Sequence, residues 1–132
     1  MSVEQNKKIV TKALAALAAA DFDALLSMLA DDFVFYVIGS SRFSGTFEGK
    51  QSFLDGVLVP MAAQRDESGY SEEILTMIGE GDYVAAESRG RKRTVAGKEY
   101  NNEYAYIFRF SGSNISEWRC YLDTQLLEDT HG

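Results

Sequence analysis

The chain is poor in the residues that carry covalent and metal chemistry: it has one cysteine, Cys120, and one histidine, His131. A single cysteine excludes an intrachain disulfide, and a lone histidine does not make a metal site, so no metal is expected. Positive charge is also short, with 13 Lys and Arg against 20 Asp and Glu, a net charge of −7 and a pI near 4.7. Neither nucleic acid nor an anionic membrane surface is therefore an expected partner, because both require a basic footprint. No apolar run approaches the ~20 residues that cross a bilayer, and the N-terminus lacks the basic-then-apolar pattern of a secretion signal, so cytoplasmic residence is expected. Repeats, linkers and low-complexity segments are absent.

What is present is a chain of 132 residues, 45% of them hydrophobic, long enough to bury a real core as one domain over residues 1–132. Its strongest feature is the stretch from Gly97 to Leu127. Two long aromatic-rich runs, Glu99 to Phe110 and Ile115 to Leu126, flank a turn at Gly112-Ser113-Asn114 and read as an antiparallel hairpin. Such a hairpin must bury one face, and the helical first third of the chain is the candidate cover.

Ser2 and Gln5 form a capping-box pattern ahead of Ile9, Val10, Ala13, Leu14 and Leu17, predicting a helix from about Val3 to Ala19. Asp21 caps a second helix with a stripe of Leu25, Leu26 and Leu29, broken at Asp31-Asp32. Phe33 to Ile38 reads as a strand covered on both sides, and Gly45 to Gly49 as a loop. Phe53, Leu54, Val57, Leu58 and Met61 predict a third helix that Pro60 should end or kink around Val57 to Val59. Strands over Tyr70 to Ile78 and Tyr83 to Thr94 precede the hairpin. The fold class is α+β: a curved antiparallel sheet wrapped as a cone around N-terminal helices.

A sheet of this shape leaves a hollow at its open end, and such hollows are mostly apolar with a few polar groups. Alternation places Asn102, Tyr104, Tyr106, Phe108 and Phe110 on one face of their strand, facing inward. The same rule sets Tyr83, Glu87, Arg89, Arg91 and Arg93 on the opposite face to Val84, Ala86 and Ser88, in solvent or at a subunit contact.

Ala30-Asp31-Asp32, the helix start at Gly49-Lys50, the Tyr100-Asn101 strand start and the run Trp118-Arg119-Cys120-Tyr121-Leu122-Asp123 together resemble the SnoaL-like branch of the NTF2-like superfamily. That branch is related to ketosteroid isomerase and polyketide cyclases, and the resemblance covers nearly the whole chain. It implies a pocket for a small apolar ligand, cofactor-free chemistry and a homodimer. The fold hosts unrelated activities, so each has to be tested by position. Ala13, Val37 and Tyr106 stand where ketosteroid isomerase needs a tyrosine and two aspartates, which argues against that mechanism. Tyr36 and Asp123 match the site of limonene epoxide hydrolase, but Ile38 replaces its asparagine and its Arg-x-Asp pair has no counterpart. Asp123 also resembles the late-strand acid/base of SnoaL-type cyclases.

The resemblance thus implies Asp123, Tyr36 and Tyr106 as catalytic candidates. Asp123 would move a proton, with its pKa raised by an apolar surround, and the tyrosines would polarise a carbonyl. The alternative for Asp123 is a strand-end carboxylate bonded to nearby backbone. Trp118, Asn102, Tyr104 and Phe108 are the substrate-binding candidates, each also readable as core, and Asn102 equally as a structural anchor. Cys120 reads as a small buried hydrophobe, His131 as part of a solvated tail, and Arg89 to Arg93 as a solvated strand face. Two functions follow: acid/base isomerase, cyclase or hydrolase chemistry on a small apolar carbonyl compound, or a ligand-binding or dimerisation domain without chemistry.

Overall fold

Helix α1 (Val3–Ala18) begins where expected: the Ser2 hydroxyl accepts from the Gln5 N–H while the Gln5 side chain accepts from the Ser2 N–H. It ends at Ala20, in the left-handed region at φ 56°, where the Ala20 and Asp21 N–H groups donate back to Leu17 O and Ala16 O. The computed structural model describes residues 2–132. Helix α2 (Phe22–Ser27), capped by Asp21, is shorter than its leucine stripe predicts, because Leu29 already belongs to strand β1 (Leu29–Val37).

The Gly45 to Gly49 segment, expected as loop, contains strand β2 (Gly45–Glu48), paired antiparallel to β1. Pro60 neither ends nor breaks the third helical segment. Helix α3 (Lys50–Phe53) passes through a π-helical turn (Leu54–Leu58) into α4 (Val59–Ala63). The wider turn lies where the proline ring would otherwise press on the preceding carbonyls, and Pro60 itself falls in the first turn of α4, where its missing N–H is harmless.

Strands β3 (Arg65–Glu80), β4 (Tyr83–Thr94), β5 (Glu99–Tyr100), β6 (Glu103–Ser111) and β7 (Asn114–Leu122) complete a seven-stranded sheet ordered β2-β1-β7-β6-β4-β3, with β5 on β4. Two features correct the sequence reading. The β1–β7 pair is parallel, so the sheet is mixed rather than wholly antiparallel. The last strand stops at Leu122, and Thr124–His131 form helix α5, which lies against β5. The α+β cone itself holds: α1 packs on β3 and β4, and α3 packs on β1.

Burial along β6 alternates without a break, with Tyr104, Tyr106, Phe108 and Phe110 inside. Tyr104, Tyr106 and Phe108 join Phe35, Phe53 and Trp118 in one aromatic cluster, in which the Trp118 ring lies 4.8 Å from Phe108, 5.4 Å from Phe35 and 5.4 Å from Tyr106. Edge-on aromatic packing of this kind holds the inner wall rigid.

Candidate functional site

Between helices and sheet lies a cavity of about 250 Å³. Leu17 closes one side, Phe35, Val37 and Phe47 another, and Val57, Leu58 and Met61 the helical roof, while Tyr104, Tyr106, Trp118 and Cys120 form the sheet wall. Leu127 of α5 lies at the C-terminal side. The wall is an apolar shell with a small number of polar groups, the usual composition of a ligand site.

Tyr104, Tyr106 and Trp118 thus stand where the alternation of β6 and its partner predicts. Phe108 is fully buried behind Trp118 and supports the wall instead of lining it. The Trp118 Nε1–H is buried and has no hydrogen-bond partner among the described residues. Burial holds the Tyr104 and Tyr106 hydroxyls well above the ordinary tyrosine pKa, and the Tyr104 O–H donates to Tyr100 Oη at 3.1 Å. The Cys120 thiol is raised by burial as well and is inert, as its sequence context suggests.

Two catalytic candidates face the other way. Tyr36 has the opposite parity to the buried Phe35 and Val37, and its ring lies on the outer face under the Arg119 guanidinium at 4.6 Å, with Tyr121 at 6.5 Å. Asp123 follows Trp118, Cys120 and Leu122, whose side chains all line the cavity, so alternation alone turns it outward. It is exposed and forms the N-cap of α5, its carboxylate accepting from the Leu126 N–H at 3.1 Å. This is the backbone-bonded reading of Asp123 rather than the proton-carrying one.

Asn102 is 1% exposed and is the anchor rather than the ligand contact. Its Nδ2 donates to Tyr100 Oη at 3.1 Å and Asp123 O at 3.0 Å, and its Oδ1 accepts from the Glu103 and Asp123 N–H groups at 2.9 and 3.3 Å. The amide sits in the break between β5 and β6 and ties it to the start of α5.

The cavity also holds groups the sequence reading left outside. Lys92, read as part of a solvated basic run, is 6% exposed and lines the cavity. Its Nζ donates to Met61 O at 3.0 Å and to His131 Nε2 at 2.8 Å. The signal was present: Val84, Ala86 and Ser88 fix the inward parity of β4, and Lys92 continues it. Arg89, Arg91 and Arg93 do point outward, with Arg89 3.7 Å from Glu103.

His131 is half-buried at the end of α5, not in a solvated tail. Its tautomer follows from its neighbours. Thr130 Oγ1 donates to Leu126 O at 2.8 Å and so accepts from His131 Nδ1–H, also at 2.8 Å, which leaves Nε2 to accept from Lys92. Burial and the adjacent ammonium lower His131 to about 4, and burial together with Arg65 lowers Lys92 to about 8.

Arg65 joins the same end of the cavity. Its guanidinium donates to Leu17 O at 3.0 Å and Ala18 O at 3.2 Å, the last carbonyls of α1, and stacks over Tyr70 at 4.9 Å. Gly90 makes this packing possible, since a Cβ there would collide with the Tyr70 hydroxyl and come within 3.0 Å of the Tyr104 ring. Tyr70 and Ser88 both donate to the Glu72 carboxylate at 2.5 Å.

A family model described as the SnoaL-like domain matches residues 10–118. The chain belongs to the SnoaL-like domain family. No curated protein matches it in sequence. Among solved structures, Bal32a from a soil-derived mobile gene cassette superposes with a TM-score of 0.85 at 17% identity, covering 98% of both chains. An NTF2-like protein from Burkholderia xenovorans LB400 gives 0.78 at 20% identity over 100% of this chain and 99% of that one. TerC, co-crystallized with polyporic acid, gives 0.80 at 15% identity over 96% and 97%. At such identities the likeness establishes this SnoaL-like chain's NTF2-like fold and leaves its activity to the site.

Proposed function

We propose that this SnoaL-like protein is a small-molecule pocket protein whose cavity takes a compact, largely apolar compound and holds one of its oxygens. The observation that carries this reading is an apolar cavity of about 250 Å³ lined in part by Trp118, whose buried indole N–H has no acceptor among the described residues. Buried donors are nearly always paired, and a ligand carbonyl would supply the missing partner. The co-crystallization of TerC with a small organic compound supports a pocket of the same kind.

Binding without turnover is preferred to acid/base chemistry for one reason: no carboxylate lines the cavity among the described residues, and Asp123 is exposed at the start of α5. Trp118 is the chain's only tryptophan, so its fluorescence reports occupancy directly. Titration with methyl 2-naphthoate, a two-ring carbonyl compound, should change Trp118 emission saturably. In calorimetry, Trp118→Phe should weaken that ester about tenfold and naphthalene, which has no acceptor, hardly at all. Equal losses for both compounds would refute the reading, as would a Trp118 emission that neither the ester nor an acidic analogue on the same ring frame changes.

The same proposal includes a homodimer in the cytoplasm, where the Cys120 thiol stays reduced. Its support is an exposed apolar row across the outer face, Ile78, Ala85 and Ile107 on three adjacent strands, beside the row containing Tyr83 and Arg109. Sedimentation at micromolar concentration should show a dimer that Ile107→Asp dissociates; a wild-type monomer refutes it. Among the described residues no helix is long and apolar enough to cross a membrane.

A further inference from the structure

We propose that the compound bound in this cavity is an organic oxyanion, a carboxylate or an acidic enol on an apolar ring frame, docked at the end formed by Lys92 and Arg65. The inference rests on the pocket reading above and names the chemical class of its ligand.

The charge balance of the cavity carries it. Among the described residues three cationic side chains line the wall, Arg42, Arg65 and Lys92, and no carboxylate does, in a protein whose net charge is −7. Arg42 is accounted for: it pairs with Glu128 at 3.2 Å on the exposed rim. Lys92 and Arg65 are not, since among the described residues neither forms an ion pair. Glu72 favours the charged form of Arg65 from a distance, but it does not line the cavity, and its carboxylate accepts from the Tyr70 and Ser88 hydroxyls. Buried cations are normally paired, because removing an ammonium from water without a countercharge is costly. Here two like charges share one end of an apolar cavity, where burial and then Arg65 lower the Lys92 pKa.

The donor count agrees. The Lys92 ammonium has three N–H bonds, and two of them are spent on Met61 O and His131 Nε2, which leaves one. Tyr100, whose ring centre is 5.6 Å from Lys92 Nζ, accepts at its hydroxyl from both Asn102 and Tyr104, so its own O–H is free to donate. Arg65 spends one N–H from each terminal nitrogen on α1 and keeps the others. An oxyanion would engage such donors and neutralise the cationic end, while the aromatic wall would receive the ring frame.

The test compares 2-naphthoate with methyl 2-naphthoate, which has the same ring frame without the charge, and with 2-hydroxy-1,4-naphthoquinone as the acidic enol. At pH 7 one or both anions should bind about tenfold or more tighter than the ester. Which anion does so separates carboxylate from enol recognition. In Lys92→Met the ratio of anion to ester affinity should fall to near one, whereas Lys92→Arg should keep most of it. An ester that binds wild type as well as both anions, or an anion preference that survives Lys92→Met, overturns the inference while leaving the pocket reading standing. No response to any of the three compounds overturns both.

Discussion

Replacing Lys92 with methionine should make the empty protein more stable at neutral pH. Folding lowers the Lys92 pKa from 10.5 to about 8, chiefly through burial, so the charged lysine is penalised in the folded state. At about 1.4 kcal/mol per pH unit this penalty is about 3 kcal/mol. Methionine has a stem of similar length and no charge, and it removes the penalty. Against this, His131 Nε2 loses its donor, at about 1–2 kcal/mol. Met61 O is not orphaned, because it also accepts from the Gln64 N–H at 3.2 Å.

The net gain is about 1–2 kcal/mol at pH 7, or about 3–6 °C in Tm for a chain of this size. The gain should depend on pH in a stated direction. Between pH 8 and 10.5 the unfolded wild-type chain binds more protons at Lys92 than the folded one, so wild-type stability rises with pH across that window. The variant lacks this rise. Above pH 10.5 lysine is neutral in both states and wild type keeps a hydrogen bond that methionine cannot make, so the order of stability should invert. Urea unfolding of both proteins from pH 7 to pH 11 measures the difference. A variant less stable than wild type at pH 7, or a difference that stays flat from pH 8 to 10.5, would show that Lys92 is not a buried cation in want of a countercharge.

Asn102→Ala removes an amide whose four hydrogen bonds join β5, β6 and the start of α5, and should cost about 2–4 kcal/mol in urea unfolding. Asp123→Ala loses only the cap on α5, about 1 kcal/mol, and should leave affinity for methyl 2-naphthoate unchanged in calorimetry; a collapse of affinity would return Asp123 to the site. His131 is lowered to about 4 by burial and Lys92, so the unfolded chain binds more protons at this position between pH 4 and 6.5. Stability should therefore fall as pH drops from 6.5 toward 4, and His131→Gln should flatten that part of the curve.

The positions of these groups show where one-dimensional reasoning succeeds. Strict alternation on β6 sends Tyr104, Tyr106 and Phe108 inward because one sheet face is buried and the side-chain period is two. The same period, carried along β4 past the arginines, places Lys92 inside, and carried along β7 past Trp118 it turns Asp123 out. Residue chemistry points the other way for Lys92, as a solvated cation, and leaves Asp123 open between a proton carrier and a backbone-bonded carboxylate. Helix α5 escapes local pattern for a different reason. Its stabilising contacts, such as Lys98 Nζ to Asp129 O at 3.0 Å and Lys92 to His131, join residues far apart in sequence.

Composition and local pattern alone therefore determined the α+β cone, the capped first helix and the aromatic inner face, because each depends on near-neighbour periodicity and end chemistry. Tertiary structure alone decided the parallel β1–β7 pairing, the closing helix and the cationic end of the cavity. The cationic end arises where β3, β4 and α5 meet, and only that meeting fixes which cations share one hollow without an ion-pair partner among the described residues.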